Sequence, residues 1–380
     1  MVAKRWKSWL VLGLIASCLP LNRAKSAPPD GPAESEIDLP RIILRGGGHF
    51  PVLTKLREGG LAFVCRGRFE HVVGDASLDL VRSVDNGRHW TNPRTIIDEQ
   101  AIDERNPAFG QLADGTLLLA YTYYDLEAST WGGLWYMRSE NLGRTWDEPK
   151  RVYDPPDGGY GSPFGKILQL KDGTALLAFY TTDDFRQDPI VNDGIERAWF
   201  LRSQDSGKTW GDPSLIAAGH NEAALVDFGN GKIGAAIRRS PGPEQDSLSW
   251  TTSSDQGYSW AAPIPLRPQG EHPGDLLQLK DGRLLLVYGT RRSPGRLFEN
   301  YNSDESIVQK MGVEAQLSSD GGKTWGKEIV LDRTAPNFDC GYPSSVQLDD
   351  GRVVTLYYVT LGKADYDLAG TQTRMIIWRP

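Results

Sequence analysis

Six polar residues recur at equivalent points of an internal repeat, and their side chains could do chemistry together. They are His49, Asn106, Ser162, Glu222, His272 and Tyr342. A carboxylate, a phenol and imidazoles are the groups that general acid–base and nucleophilic catalysis use. The chain has five histidines, and only His89 lies away from these positions and their neighbours. The set therefore predicts a functional site, and the alternative is a group of ordinary solvated residues at strand ends.

Each of these residues opens an apolar, strand-like segment that ends in a glycine turn. The six turns are Glu58-Gly59, Asp114-Gly115, Asp172-Gly173, Asn230-Gly231, Asp281-Gly282 and Asp350-Gly351. A second apolar segment follows each turn. Strands joined by such turns and repeated at this period predict a β-propeller. The innermost strands of a propeller all begin on one face, so the six polar residues should converge at its axial mouth.

A second repeat, Ser-x-Asp-x-Gly-x-x-Trp, lies between these segments. Its five copies are Ser83–Trp90, Ser139–Trp146, Ser203–Trp210, Ser253–Trp260 and Ser318–Trp325. The second copy has Asn141 in place of the aspartate. Serine and aspartate side chains can bond to turn amides, glycine tolerates a positive φ, and tryptophan covers the strands beneath. We therefore expect five structural turns at the outer rim, away from the mouth.

The two repeats together predict an all-β fold, a six-bladed β-propeller of four-stranded antiparallel blades over residues 37–380. The sixth unit has no octapeptide and little chain after it. The segment Ile37–Leu44 is expected to complete that blade, which closes the ring and removes a free sheet edge. Cys65 and Cys340 fall in the first and last units. They could form a disulfide across the closure or remain two buried thiols.

The N-terminus has the pattern of an export signal. Three basic residues precede the apolar run Trp9–Ser17, and Ala24-Lys25-Ser26 offers a small-x-small cleavage site. Residues 1–26 are therefore predicted to be a signal peptide and residues 27–36 a disordered tether. The apolar run is too short to span a membrane. A bacterial protein that is periplasmic, secreted or at the cell surface is expected.

Two further features limit the kinds of partner that are expected. The residues up to Cys18 also fit a lipoprotein signal, in which that cysteine would carry a lipid anchor. The formal net charge is −7, which argues against nucleic acid or an anionic membrane as a partner. The sequence contains no metal-site or nucleotide-binding motif, so no metal and no cofactor are expected.

The octapeptides resemble the Asp boxes, or BNR repeats, of the non-viral sialidase (neuraminidase) superfamily, and the resemblance covers almost the whole predicted propeller. Asn221-Glu222, followed by Arg238, is similar to the stretch in which a strand-head glutamate precedes a carboxylate-binding arginine. Gly341–Ser345 is similar to the last-blade segment with the tyrosine nucleophile. The resemblance implies that Glu222 accepts the phenol proton of Tyr342. The alternative is a structural Glu222–Arg238 salt bridge beside a tyrosine that only forms a wall.

The resemblance also implies a general acid and further sugar contacts. The family places an aspartate on the loop after the second strand of the first blade, where Asp75 is the best match and Glu70 the second. Either group needs partial desolvation to hold a proton near neutral pH. Arg66 resembles an arginine that contacts substrate hydroxyls, and Asn106 stands where many members carry an aspartate.

Two of the three carboxylate-binding arginines of the family have no counterpart. The first should open the first blade, where the chain reads His49-Phe50-Pro51. The third should precede the fifth box, where only Lys310 or the unfavourable Glu314 is available. Arg291 is a candidate substitute. Each charge-assisted bond lost from such a clamp removes roughly 1.5–3 kcal/mol, so the sugar could be one other than sialic acid.

These observations predict an exported, sialidase-like exo-glycosidase that removes a terminal sugar, sialic or otherwise acidic, from a glycan with retention. Tyr342 and Glu222 would form the nucleophile pair, and Asp75 would be the general acid. The residues expected to bind substrate are Arg238, Arg66, His49, Asn106, His272, Arg291 and Lys310. Two alternatives stay open: a polysaccharide lyase for uronate-containing glycans, and a non-catalytic propeller that binds glycan or protein.

Overall fold

The computed structural model describes residues 36–68, 74–156, 158–186, 192–241, 246–291, 311–336, 338–361 and 370–380. Their regular structure is entirely β-strand and forms six antiparallel sheets, each built on four strands and arranged in a ring. The predicted six-bladed β-propeller is therefore confirmed. A search of the described residues found no helix with the length and apolar character that crossing a membrane requires. The predicted signal peptide, all but the last residue of the tether, Cys18 and Lys310 lie outside these residues.

The strands follow the chain around the ring. Before the first blade come β1 (Glu36–Ile37) and β2 (Arg41–Arg45). The first blade contains β3 (His49–Lys55), β4 (Leu61–Arg66), β5 (Leu78–Ser83) and β6 (Arg94–Ile97). The second contains β7 (Ile102–Gln111), β8 (Leu117–Asp125), the short β9 (Thr130–Trp131), β10 (Leu134–Ser139) and β11 (Lys150–Tyr153).

In the third blade the innermost strand is broken into short pieces. It contains β12 (Gly161–Pro163), β13 (Gly165–Lys166), β14 (Leu168–Gln169), β15 (Ala175–Asp183), β16 (Asn192–Ser203) and β17 (Gly211–Ala218). The fourth contains β18 (His220–Gly229), β19 (Lys232–Arg239), β20 (Ser247–Ser253) and β21 (Ile264–Arg267). The fifth contains β22 (Glu271–Gln278), β23 (Leu284–Thr290), β24 (Met311–Ser318) and β25 (Ile329–Ala335). The sixth contains β26 (Cys340–Gln347), β27 (Val353–Thr360) and β28 (Thr371–Arg379).

The sixth blade is completed from the other end of the described chain. Both β1 and β2 pair with β28, so that Ile37 lies opposite Trp378 and Arg41 opposite Met375. The ring closure predicted for the segment 37–44 is confirmed. It covers the outer edge of β28, which would otherwise expose unpaired backbone groups.

The two cysteines of the propeller are free and buried, and they belong to separate apolar clusters. Cys65 packs with the first and sixth blades, whereas Cys340 packs with the fifth and sixth. Burial raises the pKa of both thiols. Of the two alternatives that the sequence left open, the structure contains the buried thiols.

The apolar core is divided among the six junctions between blades. Each of six clusters contains buried side chains from two neighbouring blades, as when Phe63 of the first blade packs with Leu356 of the sixth. Strands with both faces buried explain the continuous apolar runs in the sequence, because each blade is covered on both sides. The blades therefore stabilise one another.

The five octapeptides form matching turns between the third and fourth strands of the first five blades. In each, the glycine N–H donates to the serine Oγ, at 2.8 or 2.9 Å. The aspartate Oδ1 accepts the N–H four residues later at 2.9 Å, and Asn141 does the same. These bonds account for the repeated serine, glycine and aspartate of the octapeptide by turn structure alone.

The box glycines also couple neighbouring blades. A Cβ on Gly257 would lie 2.3 Å from the buried Cζ of Phe200 in the preceding blade, and the glycine has a φ of +83°. Gly282 has a similar φ of +89° but nothing within 4 Å. We expect Gly257→Ala to lower the free energy of unfolding by about 3 kcal/mol and Gly282→Ala by about 1 kcal/mol, as measured by urea denaturation. Equal losses would mean that contact with the neighbouring blade contributes nothing.

Three blades meet in an ion pair at the axis. Lys166 on β13 places its Nζ 2.7 and 2.8 Å from the two carboxylate oxygens of Asp275 on β22. The same ammonium donates to the carbonyl oxygen of Ser345 on β26 at 2.7 Å. The backbone N–H of Ser345 donates to Asp275 Oδ2, also at 2.7 Å. These bonds join the third, fifth and sixth blades directly beneath the mouth.

Candidate active site

The inner strands share a bulge at the end where the polar residues lie. Pairing with the second strand shifts register between His49 and Val52, between Arg105 and Ala108, and between Gly341 and Ser344. Within these bulges Phe50, Asn106 and Tyr342 have φ values of 53°, 51° and 50°. A positive φ is uncommon for phenylalanine and tyrosine and is concentrated at functional sites. Phe50, and not His49, thus occupies the position equivalent to Tyr342.

Tyr342 and Glu222, which are far apart in the sequence, form a direct hydrogen bond at the mouth. The Tyr342 hydroxyl donates to Glu222 Oε1 at 2.5 Å. Glu222 is only 5% exposed. Burial and the neighbouring carboxylate raise the pKa of the Tyr342 phenol, so the neutral phenol is the resting form. The carboxylate is placed to accept the proton when the phenol oxygen attacks an electrophile.

Arg238 holds the other oxygen of this carboxylate. Its Nη1 donates to Glu222 Oε2 at 2.9 Å, and its Nε donates to Asp246 Oδ2 at 3.1 Å, with a second bond from Nη2 to the same oxygen. Asp246 is buried, at 2% exposed. The arginine orients Glu222, and two carboxylates balance its charge.

Arg291 and His272 lie on the fifth-blade side of Tyr342. The Arg291 guanidinium is 5.3 Å from the centroid of the tyrosine ring, and its Nε donates to the carbonyl oxygen of Cys340 at 3.1 Å. His272 is 2% exposed. Burial, together with the charges of Arg238 and Arg291, lowers the pKa of the imidazole well below its usual range. His272 is therefore neutral at physiological pH.

Aromatic and neutral groups form the opposite side of the mouth. The rings of Phe50 and Phe164 have centroids 4.8 and 6.2 Å from that of Tyr342. Asn106 Nδ2 donates to the Tyr160 hydroxyl at 3.1 Å and to Ser162 Oγ at 2.9 Å. The charged groups that contact Tyr342 and Glu222 thus lie towards the fourth and fifth blades, and an apolar wall faces them.

An axial cavity lies beside the Tyr342–Glu222 pair. Phe50, Asn106, Phe164, Lys166, Tyr180, Glu222, Asp275 and Tyr342 are among the side chains that line it. Of the residues predicted for the site, Tyr342, Glu222 and Asn106 line this cavity. Arg238, Arg291 and His272 lie around Tyr342 but do not line the cavity.

The remaining predicted residues lie elsewhere. Asp75 is exposed and outside the cavity lining. Arg66 is completely buried, and its Nε donates to Asp103 Oδ1 at 2.8 Å. His49 is also completely buried, with Nε2 3.3 Å from the Thr371 hydroxyl. Glu314 accepts bonds from Arg333 and from the Tyr288 hydroxyl, and Glu70 lies outside the described residues.

The sequence analysis missed two groups near the mouth. Asp246 follows a segment rich in proline and polar residues, and no motif connects it with Arg238. Asp275 was predictable in principle, because it lies three residues after His272 on the same inner strand and the inner strands line the axis.

Glu104, on β7 beside the site, should make stability depend on pH. Burial raises the pKa of its carboxyl group from 4.5 to about 7. The folded protein therefore holds this proton more tightly than the unfolded chain, so the contribution of Glu104 to stability is greatest below pH 4.5 and is lost as the pH rises through about 7. We expect a loss on the order of 2 kcal/mol between pH 5.5 and 8.5 by urea denaturation.

Glu104→Gln should remove most of that loss, because the amide resembles the protonated acid. Exposed Glu127 provides the control, and its glutamine variant should keep the wild-type dependence. If Glu104→Gln leaves the pH dependence unchanged, Glu104 does not titrate in this range.

Comparison with known proteins places the chain in a family. Residues 61–355 match the family model for the BNR repeat-like domain. This match covers most of the chain, and the chain therefore belongs to the BNR repeat-like domain family. The resemblance inferred from the boxes is confirmed for family and fold.

Solved structures share the architecture. A protein of unknown function from Dyadobacter fermentans superposes with a TM-score of 0.73 at 24% identity, covering 91% of this chain and 99% of that one. The Hadza microbial sialidase Hz136 has a TM-score of 0.64 at 19% identity, covering 87% of this chain and 65% of the sialidase. The NanB sialidase from Streptococcus pneumoniae has a TM-score of 0.62 at 14% identity, covering 89% and 70%. At these identities the likeness shows a common fold.

Proposed function

We propose that this protein is an exported exo-glycosidase that hydrolyses a terminal acidic sugar from a glycan with retention of configuration. The hydrogen bond of 2.5 Å between the Tyr342 hydroxyl and Glu222 carries the proposal. It couples a nucleophile to a base at the axial cavity of a propeller whose fold is shared with sialidases. The N-terminal sequence supports export.

In the proposed reaction the Tyr342 oxygen attacks the anomeric carbon while Glu222 accepts the phenol proton. The bond to the leaving oxygen breaks, and an acid protonates that oxygen; we assign this role to Asp75 by its resemblance to the family aspartate. Water then attacks the anomeric carbon and gives a proton to the deprotonated Asp75, the bond to the Tyr342 oxygen breaks, and the phenol recovers its proton from Glu222. Two displacements at the anomeric carbon retain its configuration.

The charge distribution supports an acidic sugar. Arg291 lies on one side of Tyr342, and Phe50 and Phe164 lie on the other. An acidic substituent would point towards the fourth and fifth blades, and the less polar face of the sugar would lie against the phenylalanines. We propose that Asn106 binds a sugar hydroxyl from the second blade.

The test is a panel of aryl glycosides assayed with the purified protein, with sialic acid, hexuronic acids and neutral hexoses as the sugars. Turnover of an acidic member, with the retained anomer seen first by proton NMR, is the expected result. An inverted product would rule out the tyrosine intermediate. An unsaturated product absorbing in the ultraviolet would instead show a lyase.

One observation favours a second candidate, a propeller that binds glycan without cleaving it. In the described part of the cavity lining, the carboxyl groups are those of Glu222 and Asp275, and both are already hydrogen-bonded. Glycan binding without turnover of any panel member would support this candidate and reject hydrolysis.

A further inference from the structure

A second cavity lies at the opposite end of the axis from the mouth. The polar residues of the mouth open the inner strands, whereas this cavity is lined by the far ends of β3, β7 and β14 and by the turns that follow them. Its volume is about 480 Å³. Small-molecule sites have volumes of roughly 300–1,000 Å³, so the cavity is large enough for a small organic ligand.

The described lining of this cavity carries positive charge and no carboxylate. Its charged side chains are those of Arg57, Lys166 and Lys171. Lys166 is not available to a ligand, because its three N–H groups are donated to Asp275 and to the carbonyl oxygen of Ser345. Arg57 and Lys171 are exposed, and neither forms an ion pair with a described residue. Two cations, from the first and third blades, are therefore left to bind an anion.

The acidic residues next to these two cations are bonded within the turns. Glu58 accepts a hydrogen bond from Gln111 Nε2 at 3.0 Å, and Asp172 accepts the backbone N–H of Thr174 at 2.9 Å. Gln111 also accepts the backbone N–H of Arg57 at 2.8 Å, which fixes the first-blade turn against the second blade. The backbone of the rim is thus held in place before a ligand binds, and such pre-organisation lowers the cost of binding.

The rest of the lining favours a ligand with an apolar body. Ile167 and Leu168 contribute apolar side chains. The amide of Gln169 is already bonded to the backbone, since Oε1 accepts the N–H of Ala113 at 2.6 Å and Nε2 donates to the carbonyl oxygen of Gly173 at 2.9 Å. A molecule rich in hydroxyl groups would lose its hydration here with few partners in exchange.

We infer that this cavity binds a small organic acid, whose carboxylate is held by Arg57 and Lys171. The guanidinium can donate two parallel bonds to a carboxylate, and the ammonium can add a further charge-assisted bond. The apolar body of the acid lies against Ile167 and Leu168. The inference goes beyond the proposed function, because it gives the propeller a second ligand at the end of the axis away from the mouth.

Titration calorimetry of the full chain with sodium naphthaleneacetate tests the class of ligand. Neutral naphthaleneacetamide has the same apolar body, and sodium acetate has the same charge. We expect naphthaleneacetate to bind saturably and at least about tenfold more tightly than either, with sodium chloride keeping the ionic strength constant. Equal affinity for naphthaleneacetate and one of these two compounds would contradict an acid with an apolar body.

Charge variants test the position of the site. Arg57→Gln and Lys171→Gln should each weaken the binding of naphthaleneacetate at least about fivefold, and Arg57→Lys should weaken it less. The matched controls Arg88→Gln and Lys323→Gln remove the same charges from exposed box turns outside the cavity lining, and they should bind like the wild-type protein. Equal affinity in the cavity and control variants, or no saturable binding by the wild-type protein, rejects the site.

The outcome is separate from that of the proposed function, because naphthaleneacetate is not a glycoside. Saturable binding that depends on Arg57 and Lys171, with no turnover of any glycoside, keeps the acid site and rejects the glycosidase. Turnover of a glycoside by a protein that does not bind naphthaleneacetate keeps the glycosidase and rejects the acid site.

Discussion

Tyr342→Phe should lower kcat by at least about 1,000-fold on any glycoside that the wild-type protein hydrolyses. The substitution removes the hydroxyl that donates to Glu222 and keeps the ring between Phe50 and Arg291. The loss should therefore appear in kcat, with binding of the sugar largely preserved. Steady-state kinetics on the best substrate of the panel measure it.

Two comparisons make this result specific. Glu222→Gln should lower kcat about 100- to 10,000-fold, because the amide cannot take the phenol proton. Tyr258→Phe removes a tyrosine hydroxyl from an exposed box turn, where it donates to Asp212, and should leave kcat unchanged. Wild-type turnover in Tyr342→Phe, with Tyr258→Phe as the reference, would exclude the tyrosine as the nucleophile.

Lys166→Met should lower the free energy of unfolding by about 3 kcal/mol, because it leaves the Asp275 carboxylate buried without its cation. The side chains of this pair are 23% and 9% exposed. The pair of Lys55 and Asp349 has a similar N–O distance, 2.6 against 2.7 Å, but its side chains are 33% and 84% exposed. Lys55→Met should therefore cost less than about 1 kcal/mol, by urea denaturation.

The pH dependence of the stability loss provides an independent check on the axial pair of Lys166 and Asp275. Burial raises the pKa of Asp275, whereas Lys166 opposes that shift. Without the lysine, the carboxyl group should protonate more readily, so the loss caused by Lys166→Met should shrink as the pH is lowered. A loss that is equal for both lysine variants, or independent of pH, would show that the axial pair does not hold the blades together.

The fold could be predicted from the sequence because both repeats have local causes. The boxes are turns whose bonds join residues two to four positions apart, and the Asp-Gly turns join neighbouring strands. Ring closure was also predictable, since the last unit lacked a strand and the segment 37–44 had no other partner. The broken inner strand of the third blade was not predicted, because β13 pairs in parallel with β7 of the neighbouring blade.

The site could be predicted only where a residue opens an inner strand. The strand-head rule brings Tyr342 and Asn106 to one cavity, because they share one position in the repeat, and Glu222, one residue further along its own bulge, lines the same cavity. Loop residues do not follow this rule, and Asp75 lies outside the cavity lining. Arg66 is paired with Asp103 by a contact between blades that no local pattern encodes. Asp246 and the axial pair likewise depend on distances that only the assembled ring defines.

The closing blade has a consequence for how the chain acquires its shape during synthesis. β1 and β2 are among the first segments of the described chain to be made, yet their partner β28 is among the last. The Ser344 hydroxyl accepts a hydrogen bond from the backbone N–H of Leu53, and these two residues are 291 positions apart in the sequence. Contacts of such separation make folding slow. A nascent chain in which β28 has not yet been made would leave β1, β2 and β27 without their shared partner, so the ring could close only after β28 had been synthesised.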